Sequence, residues 1–424
     1  VKLYLRTFGC RANQYDTEAV RSMALAAGAE LVSSAAAADV AVFNSCAVTA
    51  EAEADLRQQV RRAAREQPAL RTVIMGCASA LPDRGGTASL RALPTVQETV
   101  AGADLAGVAA ALGFAAPRGQ RTSHQAGARA LLRIQDGCDE HCTFCATTIA
   151  RGAQRSRDAA DIVAEAAALA EQHPEIVLTG VHIGTYGRDT GTDLGALVTR
   201  LVLDVPAARF RLSSIEATEV DARLAELLTG APGRVAPFLH APLQTGSDRL
   251  LRRMGRHWYT AASYADAVQR LAARAPVLGL GADIITGFPG ETAADHAETV
   301  ALVRSLPFTL LHVFPWSERP GTAATRLPGR VSGTLARERA LELRTLGEEK
   351  AAAYRAARAG GRADVVVVRG GESREGLTED YLTVLPADPL VPRGTRFAAT
   401  LRADGARLVA DLAPGVADLA RQEL

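Results

Sequence analysis

The nine residues GCDEHCTFC, positions 137–145, hold three of the chain's six cysteines: Cys138, Cys142 and Cys145. Clustered thiols at such short spacing suggest a bound metal before a disulfide framework. A structural zinc site closes with four ligands, usually in pairs two to four residues apart. Here no Cys or His stands at a familiar fourth spacing, and His141, inside so short a loop, is expected to point outward. An iron–sulfur cluster normally has four thiolates; one held by three keeps an iron open to a substrate or cofactor. The remaining cysteines, Cys10, Cys46 and Cys77, are far apart, yet each follows a short apolar run: KLYLRTF, VAVFNS and RTVIMG.

Those runs indicate what must position the thiols. Alternation with helical patterns around DTEAVRSMALAAG and AEAEADLRQQVRRAAREQ predicts an N-terminal α/β domain with a parallel sheet, residues 1–114. Ligands of open α/β sheets bind where the strands end, so three distant cysteines can converge there. The stretch AAPRGQRTSHQAGAR reads as a linker. From residue 128 to 359 a βα alternation repeats about six times, with strands expected at Leu131–Gln135, Ile176–Thr179, Phe210–Ser213, Pro237–His240, Leu278–Ile284 and Leu310–Phe314. Six units suit an open, partial (β/α)6 barrel and are too few for a closed eight-stranded one. A charged helix over Thr334–Ala359 is followed by short strands in residues 360–424, enough for one small β-barrel. The fold class is therefore α/β with a small all-β tail.

Composition narrows the functional classes. The chain is 48% hydrophobic and 22% charged, which is globular, and no segment approaches the ~20 apolar residues of a membrane helix. VKLYLRTFGC reads as a strand and not as a signal peptide, so a cytoplasmic location, away from any membrane, is expected. With a net charge of only +1, nucleic-acid binding has to come from local patches.

Cys138-x3-Cys142-x2-Cys145, with Phe144 before the last cysteine and a βα array behind it, resembles the radical S-adenosylmethionine (radical SAM) superfamily. The resemblance implies a [4Fe–4S] cluster whose open iron chelates the methionine end of SAM and whose electron splits SAM to give a 5′-deoxyadenosyl radical. It further implies cofactor-binding positions along the barrel. Besides Phe144, these are Thr179, Gly180 and Val181 of LTGVHIGTYG at the methionyl amino group. Ser213, Ser214 and Glu216 of RLSSIEATEV fall at the ribose and carboxylate, and GADIITGFPGET falls near the adenine. Gly-rich βα turns and helix-capping Ser or Glu are ordinary; their order after the triplet is what carries weight.

TFGCRANQYDTEA, FNSCAVTAEAEAD and VIMGCASA extend the resemblance, over nearly the whole chain, to the radical SAM methylthiotransferases. That family implies a second [4Fe–4S] cluster on Cys10, Cys46 and Cys77, and a C-terminal TRAM-like barrel that binds RNA. It implies that one SAM methylates sulfur on the second cluster, while another makes the radical that removes hydrogen from the target carbon. Family members act on isopentenyladenosine in tRNA, on N6-threonylcarbamoyladenosine in tRNA, or on an aspartate of a ribosomal protein. IQDGCD, ARG after the triplet, LTGVHIGTYG, SSIEA and LHVFPWSERPGTAA resemble the threonylcarbamoyl branch. Gly180-Val181-His182 stands where the isopentenyl branch more usually has Gln-Asn. The expected reaction is addition of a methylthio group to carbon 2 of N6-threonylcarbamoyladenosine at tRNA position 37. The implied partners are the tRNA anticodon loop, a reducing donor such as flavodoxin or ferredoxin, and a sulfur source. One departure is Ala146-Thr147-Thr148-Ile149, where the family commonly has an apolar pair, then Pro and Tyr.

Candidate RNA contacts are Arg57, Arg61 and Arg65, a helical stripe with Arg62 beside it, and Arg151, Arg155 and Arg157 past the triplet. A cation for the threonylcarbamoyl carboxylate is expected in the Arg151–Arg157 or Ser317–Arg319 loops. The terminal block is not basic, with eight Arg against ten Asp or Glu over residues 362–424. The rival from another class is a two-cluster electron carrier or scaffold that does not turn over.

Overall fold

The computed structural model describes residues 1–47, 50–82, 89–115, 122 and 125–412. Strands β1 (Lys2–Thr7), β2 (Glu30–Leu31), β3 (Val40–Ser45), β4 (Arg71–Gly76) and β5 (Val96–Thr99) form a parallel sheet in the order β2-β1-β3-β4-β5. Successive side chains of a strand point to opposite faces, and this sheet uses both. Val40, Val42, Val73 and Met75 pack with Val20 and Met23 of the helix Arg11–Ala26. Ala41, Phe43 and Ile74 pack with Leu56, Val60 and Ala63 of the helix Ala50–Glu66. Helices on both faces explain why β3 is buried along its whole length.

The middle of the chain begins with β6 (Ala130–Arg133), followed by a short antiparallel pair, β7 (Gln135–Asp136) and β8 (Arg155–Ser156). β9 (Glu175–Thr179), β10 (Arg209–Leu212), β11 (Phe238–His240), β12 (Gly279–Thr286) and β13 (Leu310–Pro315) complete it. Two parallel sheets, β6-β9-β10 and β11-β12-β13, are stitched by the bridges Phe210–Val235 and Ser214–His240 into an open, six-stranded partial barrel. Leu132, Leu178, Leu212, Leu239, Leu280 and Ile284 face the surrounding helices, which leaves the alternate positions to the lumen. The expected linker falls largely on residues 116–121 and 123–124, outside the described residues. Within it, Thr122 and Gln125 are buried, Thr122 N–H donating to Glu165 at 2.9 Å.

The helix Gly333–Arg358 leads into β14 (Arg362–Arg369), β15 (Glu375–Leu377), β16 (Thr383–Pro386), β17 (Arg396–Asp404) and β18 (Arg407–Leu412), closed in the order β14-β15-β16-β18-β17. This small barrel plugs the floor of the lumen. Tyr381 stacks on Phe238 with ring centroids 4.4 Å apart, and Arg211 donates to the carbonyls of Glu379 and Thr378 at 3.0 and 2.9 Å. Among the described residues no helix is long and apolar enough to cross a membrane.

The floor is held by a fully buried carboxylate. Glu175 accepts from Arg209 Nε and Arg211 Nε, each at 2.8 Å. Burial alone would raise its carboxyl, but the guanidinium groups of Arg211, Arg209 and Arg129 outweigh this and hold it well below the usual range. Glu175→Gln leaves the buried Arg211 without its anion and Arg209 with Asp364 alone, and is expected to cost about 3–5 kcal/mol at neutral pH. The folded-state value lies below the unfolded value of about 4.3. The contribution is therefore complete above that pH and disappears as pH falls through the depressed value. Thermal unfolding at neutral and acid pH checks this: the gap between wild type and variant should close only on the acid side.

Candidate active site

The cysteine loop 137–146 leaves β7 and is pinned by backbone contacts on both sides. Cys138 N–H donates to Gly152 O at 3.1 Å, Thr143 N–H to Met254 O at 2.8 Å, and Ala324 N–H to Thr143 O at 2.8 Å. Gln135 ties this loop to the next strand end. Its Nε2 donates to Gly137 O at 2.6 Å, while its Oε1 accepts from the N–H groups of Val181 and His182 at 3.0 and 2.9 Å. Gly180 is required by that approach, since a Cβ there would lie 2.7 Å from Gln135 O.

Each thiol of the loop has a polar neighbour. Arg256 Nη1 lies 3.5 Å from Cys142 Sγ, His182 Nδ1 lies 3.8 Å from Cys138 Sγ, and Thr147 N–H donates to Cys145 Sγ at 3.4 Å. Arg256 is itself fixed, donating from Nε to Tyr259 Oη at 2.8 Å, lying over the Trp258 ring and pairing with Glu216. His182 Nε2 meets Glu219 at 2.9 Å. Burial pushes the Cys142 thiol up to about 12, against the pull of Arg256. Burial would lower His182, but its hydrogen bonds to Cys138 and Glu219 prevail and raise it to about 10. Donors and positive charge around sulfur suit an anionic cluster. His141 is exposed.

The residues expected around SAM gather at the strand ends beside this loop. Thr179 ends β9 and Glu216 follows β10, both buried; among the described residues Thr179 Oγ1 and Glu216 Oε2 have no hydrogen-bond partner. Burial raises the Glu216 carboxyl in spite of Arg256. Ser213 is buried, its N–H donating to Leu178 O at 3.0 Å, and Ser214 is exposed. Phe144 meets Phe288 edge-on at 6.4 Å in an apolar cluster with Leu250, Met254 and Ala324. Two orphaned polar atoms beside three thiols fit a polar cofactor bound there, because buried polar groups in native proteins are rarely left unpaired.

The N-terminal cysteines meet around Asn13. Its Oδ1 accepts from Cys10 Sγ at 3.2 Å and Cys77 Sγ at 3.8 Å, and its Nδ2 donates to Asn44 Oδ1 at 2.7 Å and Ser45 O at 2.9 Å. Cys46 follows β3 directly, and a Cβ on Gly9 would stand 3.1 Å from the Cys46 Cβ. Among the described residues, neither cysteine trio has its three sulfurs within 4.8 Å of one another.

The departure after Cys145 has a structural consequence. Residues 147–151 form a helix in which Ala146 and Ala150 pack on Ala47 and Cys77. This brings the Arg151 guanidinium beside the Cys77 thiol, which burial pushes up to about 11 against the pull of that positive charge. Arg151 also pairs with Asp16 at 2.6 Å and Asp136 at 3.0 Å. Arg157 binds Glu165 at 2.7 Å and the carbonyl of Arg133 at 2.6 Å. Of the three arginines expected at RNA in this stretch, Arg151 is buried and Arg157 half-buried in these pairings, which with the 3.3 Å contact of Arg157 to Tyr15 Oη tie the first helix to the barrel, and Arg155 is largely exposed. On the helix Ala50–Glu66, Arg61 and Arg65 are exposed, but Arg57 is half-buried against Glu53 at 2.9 Å.

Arg57 lines a cavity of about 650 Å³ with Glu53, Ser317, Glu318, Arg319 and Pro320. A smaller cavity shares Arg57 and Pro320 and reaches Ala78 and Ser79, next to Cys77. Its other wall belongs to the segment that runs on to Ala324, whose N–H donates to Thr143 O of the barrel cysteine loop at 2.8 Å. Arg319 is buried, donating to Ser317 Oγ at 2.9 Å. Asn13, Gln135, His182 and Arg256 were not legible as site residues. Asn13 lies three residues after Cys10 and His182 inside a quoted motif, but Arg256 is 114 residues from the thiol it touches.

Known proteins resemble this chain in the same parts. Residues 2–96 match a family described as uncharacterized protein family UPF0004, and residues 132–303 match the radical SAM superfamily. A threonylcarbamoyladenosine tRNA methylthiotransferase (MtaB) of Aquifex aeolicus is 32% identical over 91% of this chain and 96% of its own length. A tRNA-2-methylthio-N6-dimethylallyladenosine synthase of Parafrankia is 34% identical over 88% of this chain and 79% of its own. The solved radical SAM methyltransferase TsrM of Kitasatospora setae, with cobalamin and a [4Fe–4S] cluster bound, superposes with a TM-score of 0.56 at 15% identity over 76% of each chain.

Proposed function

The chain belongs to the radical SAM tRNA methylthiotransferases, and within that family we propose that it methylthiolates carbon 2 of N6-threonylcarbamoyladenosine at tRNA position 37. The observation that carries this choice is the cavity lined by Arg57 and Arg319. A volume of about 650 Å³ is within the range of ligand sites, and its wall carries Arg57, Arg319 and Ser317 beside Glu53 and Glu318. The N6 substituent offers a carboxylate, a hydroxyl and a urea. A guanidinium matches a carboxylate with paired hydrogen bonds, whereas an isopentenyl group has nothing to offer such a wall. An anticodon-loop base is also single-stranded enough to enter a pocket.

In this reading Cys138, Cys142 and Cys145 hold the SAM-binding [4Fe–4S] cluster, and Cys10, Cys46 and Cys77 hold a second one. When bound, these groups supply the radical chemistry and the methylthio sulfur. The chain's own part is positional. Gln135 locks the cysteine loop to the Thr179–Val181 segment, Arg256 holds Glu216 and Cys142 in one frame, and the helix carrying Arg151 sets the trios' separation. Arg61, Arg65 and Arg155 are exposed and available to tRNA phosphates. A low-potential donor such as flavodoxin or ferredoxin, a sulfur source, and a cytoplasmic site of action complete the proposal.

Nucleoside mass spectrometry of tRNA from cells lacking the protein tests it. The 2-methylthio form of N6-threonylcarbamoyladenosine should vanish and its unthiolated precursor accumulate. Loss of the methylthio isopentenyl nucleoside instead would reassign the substrate.

A further inference from the structure

The barrel lumen carries a second constellation that neither cysteine trio uses. Asp283 on β12 meets His240 Nε2 at 3.1 Å and His312 Nδ1 at 3.2 Å, both at the same oxygen, Oδ1. The three side chains come from adjacent strands: Asp283 and His312 are register partners on β12 and β13, and His240 on β11 pairs with Gly281. Gly281 is what lets His240 lean toward Asp283, because a Cβ there would stand 2.6 Å from His240 Nδ1. Residues 281 and 283 face the lumen, since Leu280, Ala282 and Ile284 face the helices. Among the described residues this is the group of His, Cys, Asp or Glu whose ligand atoms all lie within 4.8 Å of one another. His240 is buried, while His312 and the neighbouring Phe314 are open to the lumen.

We propose that His240, Asp283 and His312 form a mononuclear site for a divalent first-row metal, such as Zn2+ or Fe2+, in the lumen of the barrel. Two imidazoles and one carboxylate are a donor set these ions take while keeping positions open. Metal–ligand bonds of about 2.0–2.2 Å place neighbouring donors about 2.9–3.4 Å apart, and the separations of 3.1 and 3.2 Å fall in that range. The imidazoles bind as neutral rings, with the protons on His240 Nδ1 and His312 Nε2. The open positions face the lumen and take oxygen ligands, either water or an oxygen of a molecule entering the barrel. This site is independent of which tRNA nucleoside is modified.

The test uses holoenzyme with its iron–sulfur content measured, titrated anaerobically with zinc against a chromogenic chelator, and zinc X-ray absorption on the same sample. The expected result is one tightly held zinc per chain with a first shell of nitrogen and oxygen. His312→Gln, at a half-exposed position that tolerates the change, should weaken that zinc at least about tenfold without loss of iron. Asp283→Asn provides a second variant with the same expectation. No zinc retained by the wild type, a shell containing sulfur, or equal affinity in both variants would overturn the site and leave the trio as a hydrogen-bonded wall.

Discussion

Replacing Cys10, Cys46 or Cys77 with alanine is expected to abolish methylthio transfer while SAM cleavage to 5′-deoxyadenosine continues. The barrel loop explains the second half. Its backbone anchors, Gly152, Met254, Ala324 and Gln135, all belong to the barrel, and only Ala146 packs across on Ala47 and Cys77, so the loop keeps its shape when Cys10 is lost. Asn13 explains the first half. Cys10 and Cys77 share its Oδ1, so removing any one of the trio opens the pocket that would hold the sulfur-bearing cluster. Cys10 is the cleanest position because it is exposed, whereas Cys77 is buried and also touches Arg151. Changing Cys138, Cys142 and Cys145 together should leave no 5′-deoxyadenosine at all and about four of about eight irons, as two cubane clusters require. If the Cys10 variant makes no deoxyadenosine although its barrel cluster is intact, the two trios do not divide the work in this way.

Much of this arrangement was written locally in the chain. VAVFNS and RTVIMG are apolar runs bounded by turns, and the six barrel strands lie within two residues of their expected limits because each is buried against helices. β2, two residues long, and β5, with the polar sequence VQET, carry no such pattern and were missed. The cysteines were legible by spacing and by strand ends. Their supporting polar residues were not, because a side chain's partner is decided by tertiary approach. Arg151 and Arg157 looked like surface cations next to a cysteine loop, yet their carboxylates, Asp16 and Glu165, come from other elements. Asn13, Asp16, Thr17 and Val20 share one face of the first helix, which is a readable hint that this polar face is buried. The lumen trio His240, Asp283 and His312 has sequence gaps too long for any spacing rule, and only the strand register brings it together.

The second large effect concerns substrate choice. A site built to hydrogen-bond a polar substituent rejects an analogue lacking it by orders of magnitude, because its own buried polar groups are then left unpaired. Arg319 is buried at the cavity wall and Arg57 is half-buried opposite Ser317 and Glu318. An isopentenyl group entering there would offer these guanidinium groups no acceptor, whereas the threonylcarbamoyl carboxylate would. The reconstituted enzyme should therefore prefer tRNA bearing N6-threonylcarbamoyladenosine over tRNA bearing N6-isopentenyladenosine by at least about a hundredfold in kcat/KM. Arg319→Met should erase most of that preference while leaving deoxyadenosine formation intact. The most direct measurement is a competition in one tube. Equal amounts of the two tRNAs are given to the enzyme with SAM, sulfide and reductant, and nucleosides are quantified by mass spectrometry as turnover proceeds. The account predicts that 2-methylthio-N6-threonylcarbamoyladenosine accumulates first and nearly alone; equal rates, or faster conversion of the isopentenyl tRNA, would contradict it.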